Sequence, residues 1–115
     1  MELSVTGSDA AGATVLGVAG EVDVDSGPVL QARIAGLLNS GRHRLVVDLG
    51  GVDFLDSTGL AALVAGLNRA RELGGSLTLA CPQERLVRRL RLTGLDQVFV
   101  VFATVADALA DQREA

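Results

Sequence analysis

At 115 residues, with 49% apolar and 21% charged side chains, the chain is long enough to bury its own core and too hydrophobic to be disordered. A net charge of −4 without a basic stripe argues against nucleic acid as a partner, and three Phe with neither Tyr nor Trp leave no stacking platform for bases or sugars. All ten cations are arginines, which excludes a phosphate-loop lysine, Schiff-base chemistry and a receiver-domain lysine; a single Cys and a single His exclude an internal disulfide and a zinc cluster.

The opening Met1-Glu2-Leu3-Ser4 has no basic segment followed by an apolar one, so no secretory signal is expected. No apolar run is long enough to span a bilayer, and the expected location is the cytoplasm, with no membrane partner. Glu2-Leu3-Ser4-Val5-Thr6 alternates as a strand does, Gly7 to Gly12 reads as a turn, and Thr14 to Ala19 forms a second strand ended by Gly20. A hairpin joins these two most simply. From Asp25 the period changes. Asp25 or Ser26 can cap a helix, Pro28 suits its first turn, Leu30, Ile34, Leu37 and Leu38 form one stripe, and Gly41 stops it.

Leu45-Val46-Val47-Asp48-Leu49 has no clean alternation and suits a strand buried on both faces. Leu60, Leu63, Val64 and Leu67 then recur at helical spacing up to Gly74-Gly75. Ser76 to Ala80 reads as a strand, and Gln83 to Leu92 as a helix with Leu86 and Leu90 inward and Arg85, Arg88, Arg89 and Arg91 outward, a solvated face. Val98 to Phe102 reads as a last strand, with Phe99 and Phe102 in the core, and Thr104 caps a final helix carrying Val105 and Leu109. Cys81 reads as a small buried residue. This order predicts an α/β fold: a mixed, mainly parallel sheet of about four to five strands with about four helices, in a single domain over residues 1–115.

The segment Asp53-Phe54-Leu55-Asp56-Ser57-Thr58-Gly59-Leu60 lies after a strand and before a helix, where α/β proteins place their chemistry. Asp56, Ser57 and Thr58 are all candidate N-caps, although one cap suffices, and Gly59 keeps the turn open. The spare hydroxyls favour an exposed site, and a phosphate carried there would be stabilised by the unpaired amides of the helix start.

Val46-Val47-Asp48-Leu49 followed by Val52 to Leu60 resembles the signature of anti-sigma factor antagonists, the bacterial members of the STAS domain family. Gly20-Glu21-Val22-Asp23, Gly74-Gly75-Ser76-Leu77 and Leu92-Thr93-Gly94-Leu95 agree in order and spacing, so the resemblance covers nearly the whole chain. It implies a STAS-like fold and a regulatory binding protein with no catalytic residues, no cofactor and no metal. In that family the unphosphorylated antagonist binds an anti-sigma factor, itself a kinase of the histidine-kinase-like ATPase fold, and frees a sigma factor. Phosphorylation of a serine releases the antagonist, and a PP2C-type phosphatase restores it; such partner switching serves stress response or sporulation. The serine position is matched by Ser57, with Thr58 as the neighbouring alternative. The implied partner-binding set is Asp23, Asp56, Ser57, Thr58, Gly59 and Leu60.

Other readings fit less well. The Asp-Ser/Thr-Gly of aspartic proteases is interrupted by Thr58 and would need all-β surroundings, and a Ser-His-Asp triad would depend on His43, which reads as a surface loop residue. A STAS module that binds or scaffolds constitutively, without a phosphoswitch, is the alternative that keeps the fold.

Overall fold

The computed structural model describes residues 1–8 and 12–114. Its strands are β1 (Glu2–Ser8), β2 (Ala13–Val22), β3 (Arg44–Leu55), β4 (Ser76–Ala80) and β5 (Val101–Phe102). Its helices are α1 (Gly27–Asn39), α2 (Ser57–Glu72), α3 (Glu84–Leu92) and α4 (Val105–Glu114), with a short 3-10 turn over Leu95–Gln97. The strands lie in the order β1-β2-β3-β4-β5; β1 and β2 form an antiparallel hairpin, and every other pairing is parallel. The predicted mixed sheet with four helices is therefore present. Of the predicted turn, Gly7 belongs to β1, and 9–11 lie outside the described residues.

Side-chain direction along β3 explains the absence of clean alternation in its sequence. Leu45, Val47 and Leu49 point to the large core formed with Leu30, Ile34 and Leu38 of α1, Leu63 and Leu67 of α2, and Leu86 and Leu90 of α3. Val46 points to the opposite face, where Ala13, Ala80 and Ala108 meet Val105 and Leu109 of α4. A strand covered on both faces gains nothing from a polar position, so apolar residues run together. Burying each large aliphatic side chain contributes roughly 1.5–3 kcal/mol, and this supplies most of the drive to fold.

Two strands run further than expected. β2 continues through Gly20 to Val22, and β3 continues through Gly50-Gly51 to Leu55. Against β2, strand β3 carries an extra residue between Asp48 and Gly51 and another between Val52 and Phe54. Each bulge shifts the face by one residue, which keeps Val52 and Leu55 directed into the main core beside Leu49. The last strand is shorter than expected. The 3-10 turn, closed by the Phe99 amide on the Leu95 carbonyl at 2.9 Å, drops Phe99 into the core, and regular strand begins only at Val101. Phe99 is buried, whereas Phe102 is half-buried against α4. His43 is also half-buried, and its carbonyl accepts from the Ser76 amide at 2.9 Å. Among the described residues, no helix is long and apolar enough to cross a membrane.

Gly74 and Gly75, expected as a helix stop, act by different means. Gly74 adopts a φ of +75°, the left-handed turn that closes a helix, while a side chain on Gly75 would run into the His43 carbonyl. Gly75→Ala is therefore expected to push β4 away from the start of β3 and to cost about 1–3 kcal/mol, read as a lower urea midpoint at unchanged slope.

Candidate functional site

Parallel strands β2 and β3 end side by side, with Val22 and Leu55 as their last registered pair. The residues that follow, Asp23 and Asp56, occupy equivalent places, and the Asp56 amide donates to the Val22 carbonyl at 3.1 Å. Each aspartate closes the helical turn after it in the same way. Asp56 Oδ1 accepts from the amides of Thr58 (2.9 Å) and Gly59 (3.1 Å). Asp23 Oδ1 accepts from the amides of Asp25 (3.0 Å) and Ser26 (3.1 Å), and the Gly27 amide donates to the Asp23 carbonyl at 2.7 Å. Two acidic caps thus stand at one edge of the sheet, above two helix starts.

Asp23, not Asp25 or Ser26, takes the capping role ahead of α1. Ser26 occupies the position before the helix, but its hydroxyl is committed elsewhere: it accepts from the Asp23 amide at 2.9 Å and lies within donating distance of the Glu21 carbonyl (3.0 Å) and Asp23 Oδ1 (3.1 Å). The Asp23 carboxyl is held below its ordinary value of 3.8, chiefly by the hydrogen bond from the Ser26 amide and then by that from Asp25.

Around α2 the competing hydroxyls separate. Asp56 is the cap; Ser57 is the first helical residue, exposed, with no hydrogen bond to its hydroxyl among the described residues. Thr58 is half-buried, and its methyl faces Gly27 of α1 so closely that a Cβ there would come within 2.8 Å. Thr58 therefore packs α2 against α1 and does not cap, contrary to one expectation from the sequence. Gly59 and Leu60 are buried: a Cβ on Gly59 would sit 2.5 Å from Leu55 and 2.8 Å from Val22, and Leu60 is 5% exposed. These two support the site from beneath. The outer surface is formed by Asp23, Asp56 and Ser57, with the exposed Val24 and Val29 at the neighbouring start of α1.

Gln83 and Arg85 were not singled out as site residues in the sequence, yet they position this edge. β4 pairs with β3 only as far as Asp48, so the second half of β3 has no strand on that side. Gln83 Nε2 takes its place, its two N–H groups shared among the carbonyls of Leu49 (2.8 Å), Gly50 (2.9 Å) and Val52 (3.0 Å), and Arg85 donates to that of Asp53. The one available signal was a Gln, a poor capping residue, at a helix start. Cys81 is buried beside Gln83, and burial pushes its thiol pKa up, as suits an inert packing residue. Among the described residues, no group of three or more His, Cys, Asp or Glu could hold a metal ion.

The sequence matches the STAS domain over residues 3–108. The chain belongs to that family. It is 38% identical to the anti-sigma-B factor antagonist of Bacillus subtilis, with 75% of this chain and 78% of the relative covered. It is 34% identical to the anti-sigma-F factor antagonist RsfB of Mycobacterium tuberculosis, over 96% of this chain and 90% of that one. In structure, this STAS chain superposes on an anti-sigma factor antagonist from Mycobacterium paratuberculosis with a TM-score of 0.82 at 34% identity, covering 97% and 93% of the two chains. The last two relatives span 96% and 97% of the STAS chain, the segments that carry the paired aspartates and Ser57 among them.

Two measurements test the geometry. Removing the Gln83 amide in Gln83→Ala leaves three carbonyls without their donor; a loss of about 1–3 kcal/mol is expected, with the largest amide shifts from Gly50 to Ser57. Asp23 stabilises the fold above its ordinary pKa, and this contribution disappears as pH falls through its lowered folded value. An NMR titration should accordingly place the Asp23 midpoint below 3.8, whereas the Ser26→Pro variant, lacking that amide, should return it towards the ordinary value.

Proposed function

We propose that the chain is an anti-sigma factor antagonist that binds its anti-sigma factor through the Asp23–Asp56–Ser57 edge and is switched off by phosphorylation of Ser57. The names of its relatives support the antagonist role. The observation that carries the switch is the division of labour at α2: Asp56 supplies the cap, so the exposed Ser57 hydroxyl is left uncommitted.

In this reading the anti-sigma factor is a kinase of the histidine-kinase-like ATPase fold. Ser57 Oγ attacks the γ-phosphorus of ATP and loses its proton as the new O–P bond forms and ADP leaves. The phosphoserine adds about −1.5 to −2 charges at pH 7 beside Asp56 and Asp23. A partner surface that had packed against a neutral hydroxyl then meets extra bulk, a heavily hydrated dianion and two carboxylates. The α2 N-terminus offsets part of that charge within the antagonist, by about 0.3–1 kcal/mol for an exposed group. Release therefore follows from local repulsion without refolding. A PP2C-type phosphatase reverses the modification by hydrolysis. The reading requires a cytoplasmic location, where sigma factors engage RNA polymerase.

The test compares wild type, Ser57→Ala and Ser57→Asp in binding to candidate anti-sigma kinases, together with intact mass after incubation with kinase and ATP. Wild type and Ser57→Ala should bind alike, Ser57→Asp should bind at least about tenfold more weakly, and only wild type should gain a phosphate. Equal binding by all three, with no phosphate adduct on wild type, would support the constitutive STAS binder instead. A phosphate adduct on Ser57→Ala would move the modification to Thr58.

A further inference from the structure

Helix α3 carries a cluster of charge of which the fold and the Ser57 edge use only Arg85. Four of the chain's ten cations, Arg85, Arg88, Arg89 and Arg91, fall within its nine residues, on a chain whose net charge is −4. Arg89 and Arg91 lie in the last turn, where the helix dipole favours cations, and Arg85 is tied to the Asp53 carbonyl. The spacing is nevertheless unfavourable for the isolated helix: Arg85 with Arg88, Arg85 with Arg89, and Arg88 with Arg91 are like-charge pairs at three or four residues. The only ion pair among the described residues is Arg69–Glu72 on α2; Glu84, four residues before Arg88, is the one carboxylate on α3 itself and does not close an ion pair with it.

Beside these guanidinium groups sits Leu92, 79% exposed and the most exposed large apolar side chain among the described residues. Arg85, Arg88, Arg91, Leu92 and Glu84 line a surface cavity of about 690 Å³. Across the helix, Arg85 and Arg89 border a second groove of about 270 Å³ with Asp53, Phe54 and Leu55, in which Phe54 is 47% exposed. The surface thus alternates guanidinium forks with apolar side chains over a helix about 14 Å long.

We propose that this face of α3 is a second docking surface, for an acidic protein segment that also carries an apolar side chain. Guanidinium groups bind carboxylates through paired, charge-assisted hydrogen bonds, and Leu92 and Phe54 would each cover an apolar anchor. A long nucleic acid fits poorly, because the rest of the chain is acidic and offers no aromatic platform beyond its Phe residues. A membrane surface fits poorly as well: Leu86 and Leu90 are buried in the core, leaving Leu92 as the outward leucine of α3. The surface does not depend on phosphorylation of Ser57.

The full chain, labelled with 15N, is titrated with a short acetylated peptide of alternating Glu and Leu, with the matching Lys-Leu peptide, with oligo-dT and with phosphatidylserine vesicles. The expected result is amide shifts confined to α3 and the Phe54 region with the Glu-Leu peptide alone, weaker at raised salt. Binding should weaken by about tenfold or more in the Arg88→Glu/Arg91→Glu double variant, and less in Leu92→Ser. Should the double reversal disturb the native spectrum, Arg88→Gln/Arg91→Gln provides the same reading. Absence of shifts with the Glu-Leu peptide, equal shifts with the Lys-Leu peptide, or unchanged binding by the double variants would overturn the proposal. Preference for oligo-dT or for the vesicles would overturn it too, in favour of a nucleic acid or a membrane surface.

Discussion

The candidate site depends on a strand that outlasts its neighbour. β3 is paired on both sides only as far as Asp48; beyond that point β2 alone runs beside it to Leu55. An unpaired strand edge bent by two bulges would ordinarily be loose, since its carbonyls face water and its alternation is broken. Here the side chains of Gln83 and Arg85 replace a strand, filling the carbonyls of Leu49, Gly50, Val52 and Asp53. The bulges in turn let Val52 and Leu55 face the main core, so the segment is anchored from below as well as from the side. Asp56 and Ser57 emerge from that anchored strand. Their position is thus set by the first turn of α3, a helix remote in sequence.

The two aspartate caps follow from the same architecture. Neighbouring parallel strands that end in register bring their succeeding helix starts together, and each start needs an acceptor for its free amides. Using a carboxylate for both places two negative groups at one edge. Each accepts from two amides, and at Asp23 the hydrogen bonds from Ser26 and then Asp25 hold the carboxyl below its ordinary value. Compensation of this kind is a local hydrogen-bonding effect. It leaves the edge acidic, so in the proposed switch a phosphate on Ser57 would add a third negative group that the helix start offsets in part and a docked partner would meet.

Much of this was legible in the residues, because the helices have strong apolar stripes and their starts and stops carry distinctive residues. The order of elements along the chain, the opening hairpin and the position of Asp56-Ser57 at a helix start followed from those signals. Three features were missed, two because nonlocal contacts decide them and one because a carboxylate three residues earlier competes with the local cap. Gly20 looked like a strand end and the third strand was read only to Leu49, but pairing between β2 and β3 carries both strands on, β3 through Gly50-Gly51. Ser26 looked like a cap, but the Asp23 carboxylate reaches the amides first. Gln83 stood out only as a poor cap at a helix start, and its role stayed hidden because its three acceptors lie more than thirty residues earlier in the chain.

The capping of α2 by Asp56 also bears on why the segment carries hydroxyls in excess. If Ser57 itself closed the helix, esterifying its oxygen would remove the acceptor that holds the first turn, and modification would cost the fold about what loss of a cap costs, roughly 1 kcal/mol. With Asp56 as acceptor and the Thr58 methyl packed against Gly27, neither anchoring contact uses the Ser57 oxygen. Under the phosphorylation proposed above, the hydroxyl would change its charge while the Asp56 hydrogen bonds of the turn beneath it stay in place. That separation is what the proposed switch requires of this helix start: a charge that varies on a shape that does not.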